Sequence, residues 1–277
     1  MLRYYGMRVA IQGDIASFHH QAAKKWYGAD VEIVPAESFS ETFGLAARHE
    51  ADSLIVAIEN SLYGSIHQVY DLLEAYRFPI VGEVHLRIHH QLITLSPSVE
   101  KAEIKQIYSH PVALAQCENY LDANYAEAER LEYHDTAAAV EFIKSQNNPS
   151  LAAVASVEAA ELHGLHITEH NIEDNKANFT RFLVAEPNSQ PPRDADRTSL
   201  VLVTDHTPGA LARILTIIAD NGVDLSKLQS RPITGKPWNY RFYLVVDTAG
   251  DLMKHISREI KPYVRDLTIL GEYKHNL

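Results

Sequence analysis

The sequence predicts an α/β protein in two parts: a two-lobed unit with mainly parallel sheets, then a smaller unit of βαββαβ order, the ferredoxin-like arrangement. Three observations carry this expectation. Apolar runs of strand length alternate with stretches of helical spacing from residue 8 to residue 163. The polar, proline-rich stretch Glu186-Pro187-Asn188-Ser189-Gln190-Pro191-Pro192-Arg193-Asp194 then marks a boundary. The length of 277 residues exceeds the ~100–150 of a usual single domain. The expected division is 1–186 for the first domain, 187–196 for the linker and 197–277 for the second.

Taken in order, residues 8–12 read as a strand broken at Gly13-Asp14, with Ser17 as N-cap of a helix over 18–27. A strand at 31–34 and a helix at 38–49 follow. The strand at 53–58 is nearly all apolar, as a parallel strand covered on both faces should be. Ile66, Val69, Tyr70, Leu72 and Leu73 then recur at helical spacing. Strands at 80–84 and 90–95 have a different rhythm, so a hinge between lobes is expected near Pro79 and again over 175–180. The strand at Thr180 would return to the first lobe. Strands at 105–108, 130–133 and 152–155 alternate with helices from Pro111 to about Asp122, over 136–145 and over 157–163. Pro111 suits a first helical turn, where its missing N–H costs nothing.

Hydrophobic residues make up 46% and the formal net charge is −11. The first supports sizeable cores and excludes the disordered class; the second argues against a nucleic-acid or membrane surface. Cys117 is the single cysteine, so no internal disulfide is expected. Met1 to Gly6 has no apolar core resembling a signal peptide, and no stretch is long enough to span a bilayer. A cytoplasmic protein is expected. The 15 histidines include the pairs His19-His20 and His89-His90 but show no metal-ligand spacing, so scattered or hydrogen-bonded histidines and no metal are expected.

Three turns stand between a strand's carboxyl end and the next helix: Gly13 to Ser17, Glu59-Asn60-Ser61 and Ser109-His110-Pro111. Open α/β sheets bind ligands at that edge, and helix amino ends suit carboxylates. Each turn could equally be only an N-cap. The stretch Asp174-Asn175-Lys176-Ala177-Asn178-Phe179-Thr180-Arg181-Phe182 reads as a polar loop entering a strand. Its hydroxyl, positive charge and amide could hold an anion and give a proton to a departing oxygen. An ordinary edge strand is the plain alternative. Neighbouring strand side chains face opposite ways, so either the strand twists at Thr180 or Arg181 organises the site from behind.

Ile58-Glu59-Asn60-Ser61-Leu62-Tyr63-Gly64 before Asp71-Leu72-Leu73, Ser109-His110-Pro111 before Ala113-Leu114-Ala115-Gln116-Cys117, and Ile172-Glu173-Asp174 through Asn178 to Thr180-Arg181-Phe182 occur in this order. Together they resemble the prephenate dehydratase family. The resemblance implies a two-lobed, periplasmic-binding-protein-like domain and an enzyme that expels water and carbon dioxide from prephenate, leaving phenylpyruvate for phenylalanine biosynthesis. It implies no cofactor. It puts the acid role on Thr180 and substrate contacts on Ser17, Glu59, Asn60, Ser61, His110, Asn178, Arg181 and Phe182, with Glu59 holding that network together. The family's Gly-Pro-x-Gly-Thr-Phe is Gly13-Asp14-Ile15-Ala16-Ser17-Phe18 here, so an altered loop shape is expected with the hydroxyl kept. Arogenate is a rival substrate, differing by an amino group in place of a keto group. A two-lobe amino-acid sensor without catalysis is the rival of another class.

Beyond the linker, strands near 199–203, 225–230, 240–247 and 267–273 frame two helices. The first helix has the apolar face Leu211, Ile214, Leu215 and Ile218 and a left-handed stop at Gly222; the second lies near 252–260. Pro208-Gly209-Ala210-Leu211 and Gln229-Ser230-Arg231-Pro232 resemble motifs of the ACT regulatory domain. That resemblance implies phenylalanine bound between paired subunits, feedback regulation, and a homodimer or homotetramer. Gly209 would let backbone approach the ligand, and the helix start would attract its carboxylate. Gln229 stands where the family has Glu, keeping hydrogen bonds but losing a charge. Without the resemblance, this unit could equally serve only dimerisation.

Overall fold

The computed structural model describes residues 6–204, 207–233, 235 and 239–275. The chain opens with β1 (Arg8–Gln12), α1 (Phe18–Tyr27), β2 (Glu32–Ala36), α2 (Phe39–Ala47), β3 (Ser53–Asn60), the short β4 (Gly64–Ser65) and α3 (His67–Tyr76). There follow β5 (Ile80–Arg87), β6 (Gln91–Thr94), β7 (Gln106–Ser109), α4 (Pro111–Gln116), α5 (Glu118–Asn124), β8 (Glu129–Glu132), α6 (Thr136–Gln146), β9 (Leu151–Ala155), α7 (Val157–His163), β10 (His166–Glu169) and β11 (Phe179–Ala185). After a stretch without regular structure come β12 (Arg197–Thr204), α8 (Ala210–Asp220), β13 (Leu225–Pro232), β14 (Tyr240–Val246), α9 (Gly250–Ile260) and β15 (Val264–Tyr273).

The first sheet has the order β2-β1-β3-β11-β5, with β4 on β3; the second has the order β10-β6-β9-β7-β8. Parallel pairs β1–β2, β1–β3, β7–β8 and β7–β9 run from one edge of each sheet to its middle strand. Antiparallel β6–β9, β10–β6 and β3–β4 pairs are added, so neither sheet is purely parallel. The apolar run in β3 is buried from Ser53 to Ala57 and beyond, as continuous apolarity predicts. β5, which begins after Pro79, stays in the first sheet, and the chain enters the second only at Gln91.

The expected single helix from Pro111 breaks at Cys117. The Asp174 carboxylate accepts N–H groups of Asn119 (2.9 Å) and Tyr120 (2.9 Å), capping the restarted helix from a distant loop that local sequence does not reveal. β4 and β10 were not legible either; two and four residues give no usable period.

By compactness the chain falls into two units: residues up to Ile66 with His85–Phe182, and His67–Val84 with the chain from Leu183 onward. β5 and β11 each run from one into the other. The second unit contains the four-stranded sheet β13-β14-β12-β15, antiparallel throughout. Ile214, Ile218, Met253, Ile256 and Ile260 of α8 and α9 bury against Leu200, Leu202, Leu244 and Val246. Gly222 ends α8 at φ 70°, as expected. Also within this unit, Tyr243 of β14 stacks edge-on to Tyr70 of α3, ring centroids 4.8 Å apart. Among the described residues, no helix is long and apolar enough to cross a membrane.

Candidate active site

At its carboxyl end β3 delivers Asn60 into the first unit; the loop entering β11 delivers Asn178 beside it, and β11 itself delivers Thr180. All three are buried. Two backbone N–H groups, from Leu62 (2.9 Å) and Tyr63 (3.1 Å), donate to Asn60 Oδ1. Such donors can face only an oxygen, so Asn60 Nδ2 is the atom that donates to Asn178 Oδ1 (2.8 Å) and to Thr180 Oγ1 (3.0 Å). Asn178 Nδ2 in turn donates to Gln116 Oε1 at 2.9 Å. The same Oε1 lies 2.7 Å from His90 Nε2. A chain of polar side chains therefore runs Thr180–Asn60–Asn178–Gln116–His90, drawn from β11, β3, the loop into β11, α4 and the stretch before β6.

The surrounding backbone fixes this chain. Ser61 Oγ donates to Ala177 O (2.8 Å) and accepts from Phe179 N (2.9 Å), tying the turn after β3 to the start of β11. Glu173, its side chain fully buried, accepts from His90 N (2.9 Å) and lies 3.1 Å from His89 Nδ1. Burial would raise the Glu173 carboxyl, but the N–H of His90 and the nearby His89 and Lys176 outweigh it and hold the group below its ordinary value.

Other expected site residues have different surroundings. Ser17 caps α1, its Oγ accepting from His20 N at 3.3 Å. His110 caps α4 through Nδ1, which accepts from Val112 N at 3.2 Å; burial lowers its pKa, opposed by Asp135 and Glu132. Phe182 is a core side chain against the His19 ring, centroids 5.1 Å apart. In β11 the residues alternate: Thr180 and Phe182 are buried while Arg181 is only partly so, which puts Arg181 on the other side of the strand. Glu59 likewise precedes Asn60 on the opposite side of β3 and lies outside the chain of bonds described above. The turn after β3 does not lead directly into a helix, because β4 intervenes; Asn60 organises the turn rather than capping α3.

Ala16 adopts φ 70°, the left-handed conformation that a glycine would take without penalty and that costs an L-residue roughly 1–2 kcal/mol. The loop is thus held in a glycine-like conformation, with the Ala16 carbonyl accepting from Ser156 Oγ at 3.0 Å. Gly13, at φ 89°, passes so close to Asp135 that an added Cβ would lie 2.8 Å from a carboxylate oxygen.

Gln116 and His90 were not among the expected site residues. Gln116 stands inside a quoted motif, which was its signal. His90 had only its place in a histidine pair, and a side chain buried beside an apolar strand gives no pattern.

In the second unit, a cavity of about 470 Å³ opens at the start of α8, lined by Thr204, Pro208, Gly209, Ala210, Leu211, Asn239, Tyr240 and Phe242 among others. Gly209 sits at φ 82°; an added Cβ would meet no atom within 4 Å, so its requirement is conformational. Gln229, Ser230, Arg231 and Pro232 lie on β13 and do not line this cavity. Arg231 instead pairs with Asp71 of α3 at 2.7 Å.

The prephenate dehydratase family model matches residues 9–190, and the ACT domain model matches 198–260. The chain belongs to the prephenate dehydratase family. It is 34% identical to a bifunctional chorismate mutase/prephenate dehydratase of Stutzerimonas stutzeri, over 96% of this chain and 73% of that protein. It is 36% identical to arogenate dehydratase 1 of Petunia hybrida, over 96% of this chain and 66% of that one. Among solved structures, a prephenate dehydratase of Arthrobacter aurescens in complex with L-Phe is 29% identical, with a TM-score of 0.85 over 96% of this chain and 89% of that one. GqqA, described as a novel type of quorum-quenching acylase, is also 29% identical, with a TM-score of 0.86 over 97% and 98% of the two chains. The chain is therefore a dehydratase-family lyase with an ACT domain at its carboxyl end.

Proposed function

We propose that this chain converts prephenate to phenylpyruvate, with Thr180 as proton donor. One observation carries the reading: among the described residues, Thr180 Oγ1 receives the Asn60 N–H and gives its own proton to no protein acceptor. That proton is left for a substrate oxygen. In the reaction the bond from the ring to its carboxylate breaks and its electron pair enters the ring. The carboxylate leaves as carbon dioxide, the C–O bond opposite breaks, and hydroxide leaves as water with the Thr180 proton, which solvent returns to Oγ1 once the aromatic product has formed. A threonine hydroxyl is too weak an acid to ionise first, so transfer accompanies C–O cleavage. The Asn60 N–H supports the negative charge that develops on Oγ1.

Phe179, Leu62 and Tyr63, apolar and exposed, flank Asn60 and Thr180 and suit a ring-shaped substrate. The helix starts capped by Ser17 and His110 suit its carboxylates. An acylase would need a nucleophile beside a base; among the described residues, neither the Thr180 nor the Ser61 hydroxyl bonds to a histidine or carboxylate. Arogenate is the second reading, favoured by the 36% identity to an arogenate dehydratase.

L-Phenylalanine, in this reading, occupies the cavity at Gly209, its carboxylate at the amino end of α8, and the Gln229–Pro232 half of the site comes from a second copy. A homodimer or homotetramer in the cytoplasm follows. The test is to supply prephenate and arogenate separately to the purified protein and follow phenylpyruvate and phenylalanine. Phenylpyruvate from prephenate is expected; no aromatic product from either substrate would overturn the reading.

A further inference from the structure

We propose that His90 is a positioning residue of the dehydratase site, held as the neutral Nε2–H tautomer so that its N–H fixes the amide chain ending on Thr180. This rests on the dehydratase reading for its kinetic consequence, but the tautomer follows from the chain of bonds alone.

Polarity enters the chain at one end. The N–H groups of Leu62 and Tyr63 require an oxygen at Asn60 Oδ1, so Asn60 presents its NH₂ to Asn178 and Thr180. Asn178 must answer with its oxygen and therefore turns its NH₂ to Gln116. Gln116 must answer with Oε1, and the only role left for His90 Nε2, 2.7 Å away, is donor. At the ring's other nitrogen, Nδ1 is buried and, among the described residues, has no hydrogen-bond partner. Protonating it would bury an N–H with nothing to accept it, so the ring stays neutral. The groups around it agree. Glu173 meets the His90 backbone N–H rather than the ring, the Phe18 ring stands edge-on at 5.6 Å, and burial outweighs the Gln116 hydrogen bond and the pull of Glu173, keeping the ring's pKa below its ordinary value. His89, the neighbour in sequence, also works against protonation of the His90 ring.

The functional consequence is directional. If Gln116 lost the donor on Oε1, its amide could turn, Asn178 could follow, and the Asn60 N–H would no longer be committed to Thr180. Nothing in the chain touches solvent enough to restore the order, since Asn60, Gln116, Asn178 and Thr180 are all buried.

Two measurements test this. The first uses the unaltered full-length protein labelled with ¹⁵N-histidine. The His90 ring should give the pattern of a neutral Nε2–H tautomer, unchanged between about pH 6 and 8. A ring in the Nδ1–H form, or one that titrates in that range, would overturn the proposal whatever the enzyme's activity. The second compares His90→Phe, which removes the donor, with His90→Gln, which can place an amide N–H near the position of Nε2. With folding checked by thermal unfolding, kcat on prephenate should fall about 10–100-fold in His90→Phe with KM little changed. His90→Gln should recover most of that loss. Equal losses in two folded variants, or a loss confined to KM, would mean that His90 only fills space. Absence of turnover in the unaltered protein would count against the dehydratase reading and leave the tautomer result standing.

Discussion

Thr180 and His19 are buried for opposite purposes. Thr180 keeps its hydroxyl proton uncommitted while Asn60 holds the oxygen, so Thr180→Ala should lower turnover by roughly 10²–10⁴ and move KM far less. Thr180→Ser, which keeps the hydroxyl, should retain much more activity; near-normal turnover in a folded Thr180→Ala protein would remove Thr180 from the mechanism. His19 is a core residue whose Nε2 accepts from Ala57 N at 3.1 Å. Full burial pushes its pKa down to about 3 from 6.5. The unfolded chain therefore binds a proton there, between those values, that the folded chain refuses. Stability from this group is intact above about pH 6.5 and falls as the pH drops toward 3, by about 1.4 kcal/mol per pH unit. Urea unfolding at about pH 7.5 and 5.5 should show a smaller pH difference for His19→Gln, which keeps an acceptor but cannot titrate. An unchanged difference would place the acid sensitivity elsewhere.

At the scale of elements, the second unit is held by contacts that secondary-structure patterns do not announce. Arg197, at the start of β12, donates to Glu83 of β5 (2.7 Å) and to Asp247 after β14 (2.8 Å). The Arg197 and Glu83 side chains are buried. Removing only the arginine takes away the guanidinium that meets the buried Glu83 carboxylate at 2.7 Å and leaves His275 Nε2 at 3.7 Å, so Arg197→Ala should destabilise by up to about 3–5 kcal/mol. The paired change Arg197→Met with Glu83→Leu should recover most of that loss in the same urea titration. Gly271 of β15 approaches Ile80 so closely that an added Cβ would stand 2.2 Å from the Ile80 carbonyl oxygen. Gly271→Ala must move backbone rather than a flexible side chain, and should cost at least about 1–3 kcal/mol.

Regulation belongs to the whole molecule. Asp71 and Glu74 of α3 pair with Arg231 and Arg241 of the ACT sheet at 2.7 and 2.9 Å, and the Tyr243 hydroxyl donates to Glu74 at 2.9 Å. α3 begins seven residues after Asn60, counting from Asn60 to His67. Phenylalanine binding that shifts β13 would thus be felt by α3, with a coupling of typically ~1–3 kcal/mol. Asp71→Asn with Glu74→Gln should still bind phenylalanine by calorimetry but respond to it less in the turnover assay; full inhibition would exclude this route. Gly209→Val, which forces a branched residue to φ 82°, should instead lose binding itself. Cutting the chain near Asn188 is a poorer test, because residues 67–84 share a compact unit with the ACT sheet and would lose the cover of Tyr243.

The sequence by itself determined the alternation of strands and helices, the proline-rich break before Arg197 and the motif residues Asn60, Asn178 and Thr180. Each is written in local composition, period or spacing, and those survive without knowledge of any distant contact. The capping roles of Ser17 and the left-handed stop at Gly222 were legible for the same reason. Only tertiary structure decided that Thr180 and Phe182 face inward while Arg181 does not, that Ser61 is spent on the backbone of the loop before β11, and that α3 lies with the ACT sheet. It also decided that Gln116 and His90 complete the polar chain. These depend on which buried donors find which acceptors across more than twenty residues of chain, and no pattern in one stretch records the partner that another stretch supplies.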